Sequence, residues 1–146
     1  MSYQNLLCAV DLAVDLAEDT PRIAARASDL AARFGATLTL LHVVEYIPVD
    51  PAGEALLPPP LDLERDLVAG ARKRLDALGA ELGVTGDALL VVVGNIRAEI
   101  VGTASTRGCD LVVLGARGRH GLGVLLASTE KSVLVHAPCD VLAVRI

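Results

Sequence analysis

The chain has 146 residues and a formal net charge of −5, with 53% hydrophobic and 2% aromatic side chains. That length fits a single domain over residues 1–146 with a core that needs no staples, and so apolar a chain is not disordered. The acidic balance and the lack of Trp argue against a duplex-binding face or a base-stacking platform, so no nucleic-acid partner is expected.

No apolar run approaches the ~18 residues needed to cross a bilayer, and Met1-Ser2-Tyr3-Gln4-Asn5 has no basic leader, so no membrane partner is expected. Cys8, Cys109 and Cys139 are widely spaced with no CxxC. Such an odd set reads as reduced, partly buried thiols in a cytoplasmic protein.

Leu6–Val10 is a short apolar run closed by Asp11, as expected of a strand buried on both faces. Thr20-Pro21 opens a helix, with Thr as cap and Pro at the first helical position. Ile23, Ala24, Ala27, Leu30, Ala31 and Phe34 carry that helix to Gly35. Thr37–Val44 is a second strand, rich in pleat-favouring Thr and Val. Residues 45–60 hold Pro48, Pro51, Gly53 and the Pro58-Pro59-Pro60 triplet and read as an irregular segment. Leu63, Leu67, Ala71, Leu75 and Leu78 mark one face of a long helix from Leu61 to Leu82.

Ala88–Val93 is a third strand ending at Gly94. A third helix through Ile96, Ile100, Val101 and Ala104 follows, closed by Gly108. Leu111–Leu114 is a fourth strand ending at Gly115. A fourth helix starts near Ser128 or Thr129 and ends near His136, and Val141–Val144 is the last strand. The alternation predicts a three-layer α/β domain with a parallel sheet and right-handed crossovers. In such folds ligands bind outside the carboxyl ends of the strands, where the strand order reverses. The residues at those ends are Asp11, Val43-Val44-Glu45, Gly94 and Gly115-Ala116-Arg117-Gly118.

The last group opens the most informative stretch, Gly115 to Thr129. Gly115, Gly118, Gly121 and Gly123 allow backbone N–H groups to approach an anion closely. The predicted helix start beyond them offers free N–H groups and a positive dipole end. Ser128 and Thr129 add hydroxyls, and Arg117, Arg119 and Lys131 add positive charge. No GxxxxGK[ST] is present, so this is not a P-loop protein, and no GxGxxG follows the first strand. A phosphoacceptor Asp is missing from the third strand end, which excludes a receiver domain. Activated nucleophile, paired carboxylates and metal-spaced histidines are also missing, so efficient catalysis is not expected. His42 reads as a satisfied sheet-end residue, His120 as a phosphate-contact candidate, and His136 as a partner for a helix C-terminus.

The stretch resembles the universal stress protein family, whose nucleotide-binding members carry G-x2-G-x9-G-[S/T] after the fourth strand. Here Gly115-x2-Gly118-x9 is followed by Ser128-Thr129. Ala9-Val10-Asp11, Leu41-His42-Val43, Asp110–Gly115 and Val133–Leu142 are similar to other family segments in the same order. The resemblance implies a Rossmann-like domain of the adenine nucleotide alpha hydrolase-like type, with five parallel strands in the order 3-2-1-4-5. It implies that Asp11 faces the ribose or a phosphate-bound Mg²⁺ and that the Val43 backbone meets an adenine. Gly115, Arg117, Gly118 and Arg119 then wrap the phosphates of ATP, ADP or AMP, with Ser128 and Thr129 at the helix start. Ser128 departs from the family glycine, and its Cβ restricts close approach at a cost of order 1–2 kcal/mol. The resemblance also implies a homodimer through the last strand, burying Val141, Leu142, Ala143 and Val144. The expected role is a stress-responsive regulatory protein with at most slow hydrolysis. The alternative is a nucleotide-free dimeric module that binds a protein partner.

Overall fold

A computed structural model describes residues 2–12, 19–45, 61–116 and 131–145. In chain order it contains β1 (Asn5–Ala9), α1 (Asp19–Phe34), β2 (Thr37–Val44), α2 (Leu61–Leu82), β3 (Leu89–Val93), α3 (Ile96–Thr106), β4 (Leu111–Ala116), a helical stretch α4 over 131–136, and β5 (Asp140–Arg145). A short 3-10 turn, Gly86–Ala88, precedes β3. The strands form one sheet in the order β3-β2-β1-β4-β5, and each described pairing is parallel. This is the expected 3-2-1-4-5 arrangement.

Consecutive residues of a strand point to opposite faces, so an all-apolar strand supplies two cores. Leu6 and Cys8 of β1 join Leu40, Val113 and the inner faces of α1 and α2. Leu7, one position along, joins Leu41, Val112, Ile100 and Ala104 of α3, and Val133 of α4. Two helices therefore cover each face, giving three layers. The elements form close to where the sequence places them, with shifts of a residue or two at the ends. β1 runs Asn5–Ala9 rather than Leu6–Val10, and β4 extends through Gly115 to Ala116 because both residues pair with β5.

The helix ends explain why the links from α1 to β2 and from α3 to β4 are short. Gly108 stands at φ +62° after α3. Its N–H reaches the Ser105 carbonyl at 3.2 Å, and the Cys109 N–H reaches that of Ala104 at 2.9 Å. This is a Schellman closure, which needs a left-handed residue that glycine supplies at no steric cost. Gly35 closes α1 the same way, with the Ala36 N–H on the Ala31 carbonyl at 2.8 Å.

The amino edge of the sheet is tied by long-range polar bonds. The Asp110 carboxylate accepts from the backbone N–H groups of Gln4 (2.8 Å) and Asn5 (2.9 Å). Those two bonds hold its carboxyl below the usual range. The Asn5 amide donates to the Arg107 carbonyl at 2.7 Å. Arg107 in turn donates to Thr39 Oγ1 at 3.3 Å and to the Asp87 carbonyl at 2.5 Å. Among the described residues no helix is long and apolar enough to cross a membrane.

Candidate functional site

The chain leaves β1 in one direction to build β2 and β3, then returns to its other side to build β4 and β5. The order therefore reverses between β1 and β4, and the crevice of a doubly wound sheet opens at their carboxyl ends. The register shows what stands there. Cys8 pairs with Val113 and Ala9 with Leu41. β1 ends there, while β2 runs on to Val44 and β4 to Ala116, so Asp11 lies just past the last β1 rungs and Gly115 on β4 two residues past Val113. Asp11 and Gly115, far apart in sequence, thus flank the switch point. The Asp11 residue is exposed, and Gly115 and Ala116 are half-buried.

Three contacts define the turn at Val10–Asp11. The Val10 N–H donates to the Leu41 carbonyl at 2.9 Å, extending the β1–β2 ladder one residue past the strand. His42 Nδ1 lies 3.1 Å from the Val10 carbonyl oxygen. The Thr20 hydroxyl, buried in the first turn of α1, donates to the Asp11 carbonyl. Thr20 lies inside α1 and spends its hydroxyl on the Asp11 carbonyl beyond β1, whereas the sequence pattern casts it as the cap before the helix and Pro21 as the first helical residue. His42 is the satisfied sheet-end residue the sequence predicts. His136 Nδ1 lies 2.8 Å from the Ser132 carbonyl, also the expected helix-end role.

Val43 is buried, with its side chain in the core beneath α3. Alternation along β2 decides where its backbone points. The Leu41 carbonyl accepts from Val10 of β1, and the Val44 carbonyl accepts from Gly94 on the β3 side at 3.1 Å. Val43, two residues from Leu41, therefore turns its N–H and carbonyl toward β1 and Asp11.

The start of α3, which follows β3 at this edge, is already occupied. Asn95 caps α3 through its Oδ1, which accepts the Ala98 N–H at 3.0 Å. The Glu45 carboxylate lies 3.4 Å from the Ile96 N–H. Glu99, in the first turn, covers Gly94 so closely that a Cβ there would sit 2.7 Å from Glu99 Oε1. With two carboxylates at its positive end, this helix start does not favour a further anion.

Asp11, Glu45 and Glu99 bring negative charge to the described part of this edge, and Arg97 in the first turn of α3 and Arg145 opposite Ala116 bring positive charge. Arg117, Gly118, Arg119, His120, Ser128 and Thr129 lie outside the described residues. Lys131, at the start of the described part of α4, is exposed. No group of three or more His, Cys, Asp or Glu side chains among the described residues is placed to hold a metal ion. Asp11 fits Mg²⁺ only as one ligand of an ion whose remaining shell comes from phosphates and water.

The thiols are not built for reactivity. Cys8 is fully buried, and burial pushes it up to about 12. Burial also raises Cys109 and Cys139, which keeps both in the less nucleophilic thiol form.

A profile of the universal stress protein family matches residues 2–145. The chain belongs to that family. Universal stress protein A homolog 2 of Coxiella burnetii is 37% identical over 145 residues, spanning 99% of this chain and 97% of its own. The universal stress protein UspA of Lactobacillus plantarum superposes with a TM-score of 0.74 at 26% identity, covering 99% of both chains. A universal stress protein solved in complex with cAMP superposes with a TM-score of 0.65 at 23% identity, covering 99% of this chain and 98% of that one.

At the far edge, β5 pairs with β4 and carries the outermost strand positions. Val141 and Val144 are half-buried, while Leu142 and Ala143 are exposed. On α4 nearby in sequence, Leu134 and Val135 are 58% and 70% exposed. An edge strand with exposed apolar residues and an open row of backbone groups is a pairing surface.

Proposed function

We propose that this universal stress protein is a regulatory module that binds an adenine nucleotide (ATP, ADP or AMP) at the carboxyl ends of β1 and β4. The observation that supports the reading is the reversal of strand order between β1 and β4, with Asp11 just past the end of β1, Gly115 near the end of β4 and the Val43 backbone turned toward β1 from β2. A planar base fits against the Val43 main chain, and the ribose against Asp11. The phosphates then run toward Gly115 and Gly118 and the start of the last helix, where Arg117, Arg119, Ser128 and Thr129 supply charge and donors. Mg²⁺, where present, is carried by the phosphates and steadied by Asp11. The existence of a cAMP complex for another member of the fold makes adenine nucleotides the first ligands to test.

Turnover is at most slow in this account. A water attacking a γ-phosphate needs a positioned base, and the carboxylate this account sets at the β1 end, Asp11, is spent on the ribose or on a phosphate-bound Mg²⁺. The protein acts in the cytoplasm as a homodimer, with β5 of each copy pairing through Val141, Leu142, Ala143 and Val144. A two-fold pairing of this kind covers both open edges at once.

Thermal denaturation with ATP, ADP and AMP, with and without Mg²⁺, tests the reading. A nucleotide at 100-fold excess over its Kd stabilises the fold by about 2.7 kcal/mol, and Asp11→Ala should shrink that shift. Unchanged melting with every nucleotide at millimolar concentration would leave the alternative, a nucleotide-free dimer that binds a protein partner.

A further inference from the structure

The parallel ladder between β1 and β2 stops at a defined point, and a side chain stands where the next rung would be. Pairing runs from Asn5↔Thr37 to Ala9↔Leu41. The Val10 N–H still donates to the Leu41 carbonyl at 2.9 Å. In a regular ladder the bonds continue at even spacing, so the Val10 carbonyl would next accept from the Val43 N–H, which faces β1. Here His42 Nδ1 lies 3.1 Å from that oxygen. A carbonyl only accepts, so Nδ1 carries the hydrogen and the imidazole donates. One residue on, the Asp11 carbonyl is taken by the Thr20 hydroxyl. His42 is half-buried and Thr20 is 5% exposed, so both donors act where water competes poorly.

We infer that His42 and Thr20 are positioning residues of the nucleotide site, an inference that rests on the reading proposed above. His42 substitutes for a rung. It satisfies the Val10 carbonyl from the side and ties the chain past β1 to β2, beside the Val43 N–H that faces it. Thr20 holds the next carbonyl, so the peptide that bears Asp11 is fixed from two elements, β2 and α1. Neither residue touches the ligand in this account. Their effect is to present one main-chain donor and one carboxylate in a set arrangement, so that binding does not have to order them.

The chemistry makes the test specific to one ring atom. Asn places an amide N–H close to where Nδ1 stands, whereas Gln places it near Nε2. In isothermal titration with ADP and with ATP, His42→Asn should bind within about twofold of the unsubstituted protein. His42→Gln and His42→Ala should bind about five- to tenfold more weakly, the effect of one buried hydrogen bond. Thr20→Ser should retain affinity and Thr20→Val should lose it several-fold. Circular dichroism at the titration temperature confirms that each variant is folded. A second arm needs no nucleotide: hydrogen exchange at the Val10 amide should quicken in His42→Ala and Thr20→Val but not in His42→Asn, while Val112 and Val113 in β4 stay protected.

Nucleotide binding by the unsubstituted protein with equal affinity across the His42 series overturns the positioning role and leaves the functional reading standing. Equal losses in His42→Asn and His42→Gln also overturn it, since they would reflect packing of the ring and not its Nδ1 donor. No binding by the unsubstituted protein defeats the functional reading and this inference with it. In that case quickened exchange at Val10 would still trace the pinning of the turn to His42.

Discussion

The same substitution at two glycines of α2 should have opposite signs. Gly79 faces β3 at close range. A Cβ built there meets the Val84 carbonyl oxygen at 2.5 Å and the two terminal carbons of Leu89 at 2.8 and 2.9 Å. The Leu89 side chain has some freedom to move. The Val84 carbonyl does not, because the Val84 N–H is bonded to the Gly79 carbonyl at 2.8 Å and closes the helix. Overpacking of this kind costs about 1–3 kcal/mol, against which Ala regains about 1 kcal/mol of helix propensity. The expected net is a loss of up to about 2 kcal/mol, or up to roughly 6 °C in Tm for a chain of this size. Gly70 lies in the same helix with open space around its Cβ position. Gly70→Ala should therefore stabilise by about 0.5–1 kcal/mol. Urea unfolding followed by circular dichroism measures both. If both variants shift the midpoint in the same direction, the close approach of α2 to β3 described here is wrong.

Three further outcomes follow from the same structure. Asp110 stabilises the fold through two backbone N–H groups, and its depressed folded pKa sets the sign: the contribution is present above the usual carboxylate range and is lost as pH falls through the folded value. Asp110→Asn should therefore melt lower than the unsubstituted protein at pH 7, with the gap closing below about pH 4; a gap independent of pH would contradict the ionic role. Iodoacetamide at pH 7.5 should leave Cys8 unmodified in the native protein and should reach Cys139 first as pH rises, read by peptide mass spectrometry; rapid native labelling of Cys8 would refute its burial. Leu142→Lys on the exposed side of β5 should convert dimers to monomers in light scattering, and an unchanged mass would rule out the β5 interface.

Much of the fold is legible in the residues because the strands are apolar without interruption. Leu6–Val10 and Leu111–Leu114 can only be strands covered on both faces, and the intervening helical patterns dictate parallel pairing. The glycines at 35 and 108 mark helix ends for a purely local reason, a left-handed φ. The family resemblance supplies the strand order and the site. What sequence cannot supply is the set of contacts between distant segments. Asp110 holds the start of β1 from more than 100 residues away, and Arg107 bridges to Thr39 and Asp87. The pattern marks Thr20 as a helix cap because Thr-Pro is a local signal. The structure instead spends its hydroxyl on the Asp11 carbonyl, a partner that appears only once α1 is packed against β1. His42 is similar: its sheet-end role is predictable from its neighbours, but its aim at the Val10 carbonyl depends on the register of two strands. For the site itself, the strand order brings the ends of β1, β2 and β4, where Asp11, Val43 and Gly115 stand, to one edge of the sheet, while Arg117, Gly118, Arg119, Ser128 and Thr129 lie outside the described residues.

The most direct measurement of the central claim is an amide chemical-shift map of the labelled protein titrated with ATP and Mg²⁺. Saturable shifts concentrated at Val10–Leu12, Val43–Glu45 and Gly115–Ala116, with the amino edge around Asn5 and Asp110 quiet, are what the account predicts. Shifts gathered at that amino edge, or none at all up to millimolar nucleotide, would contradict it.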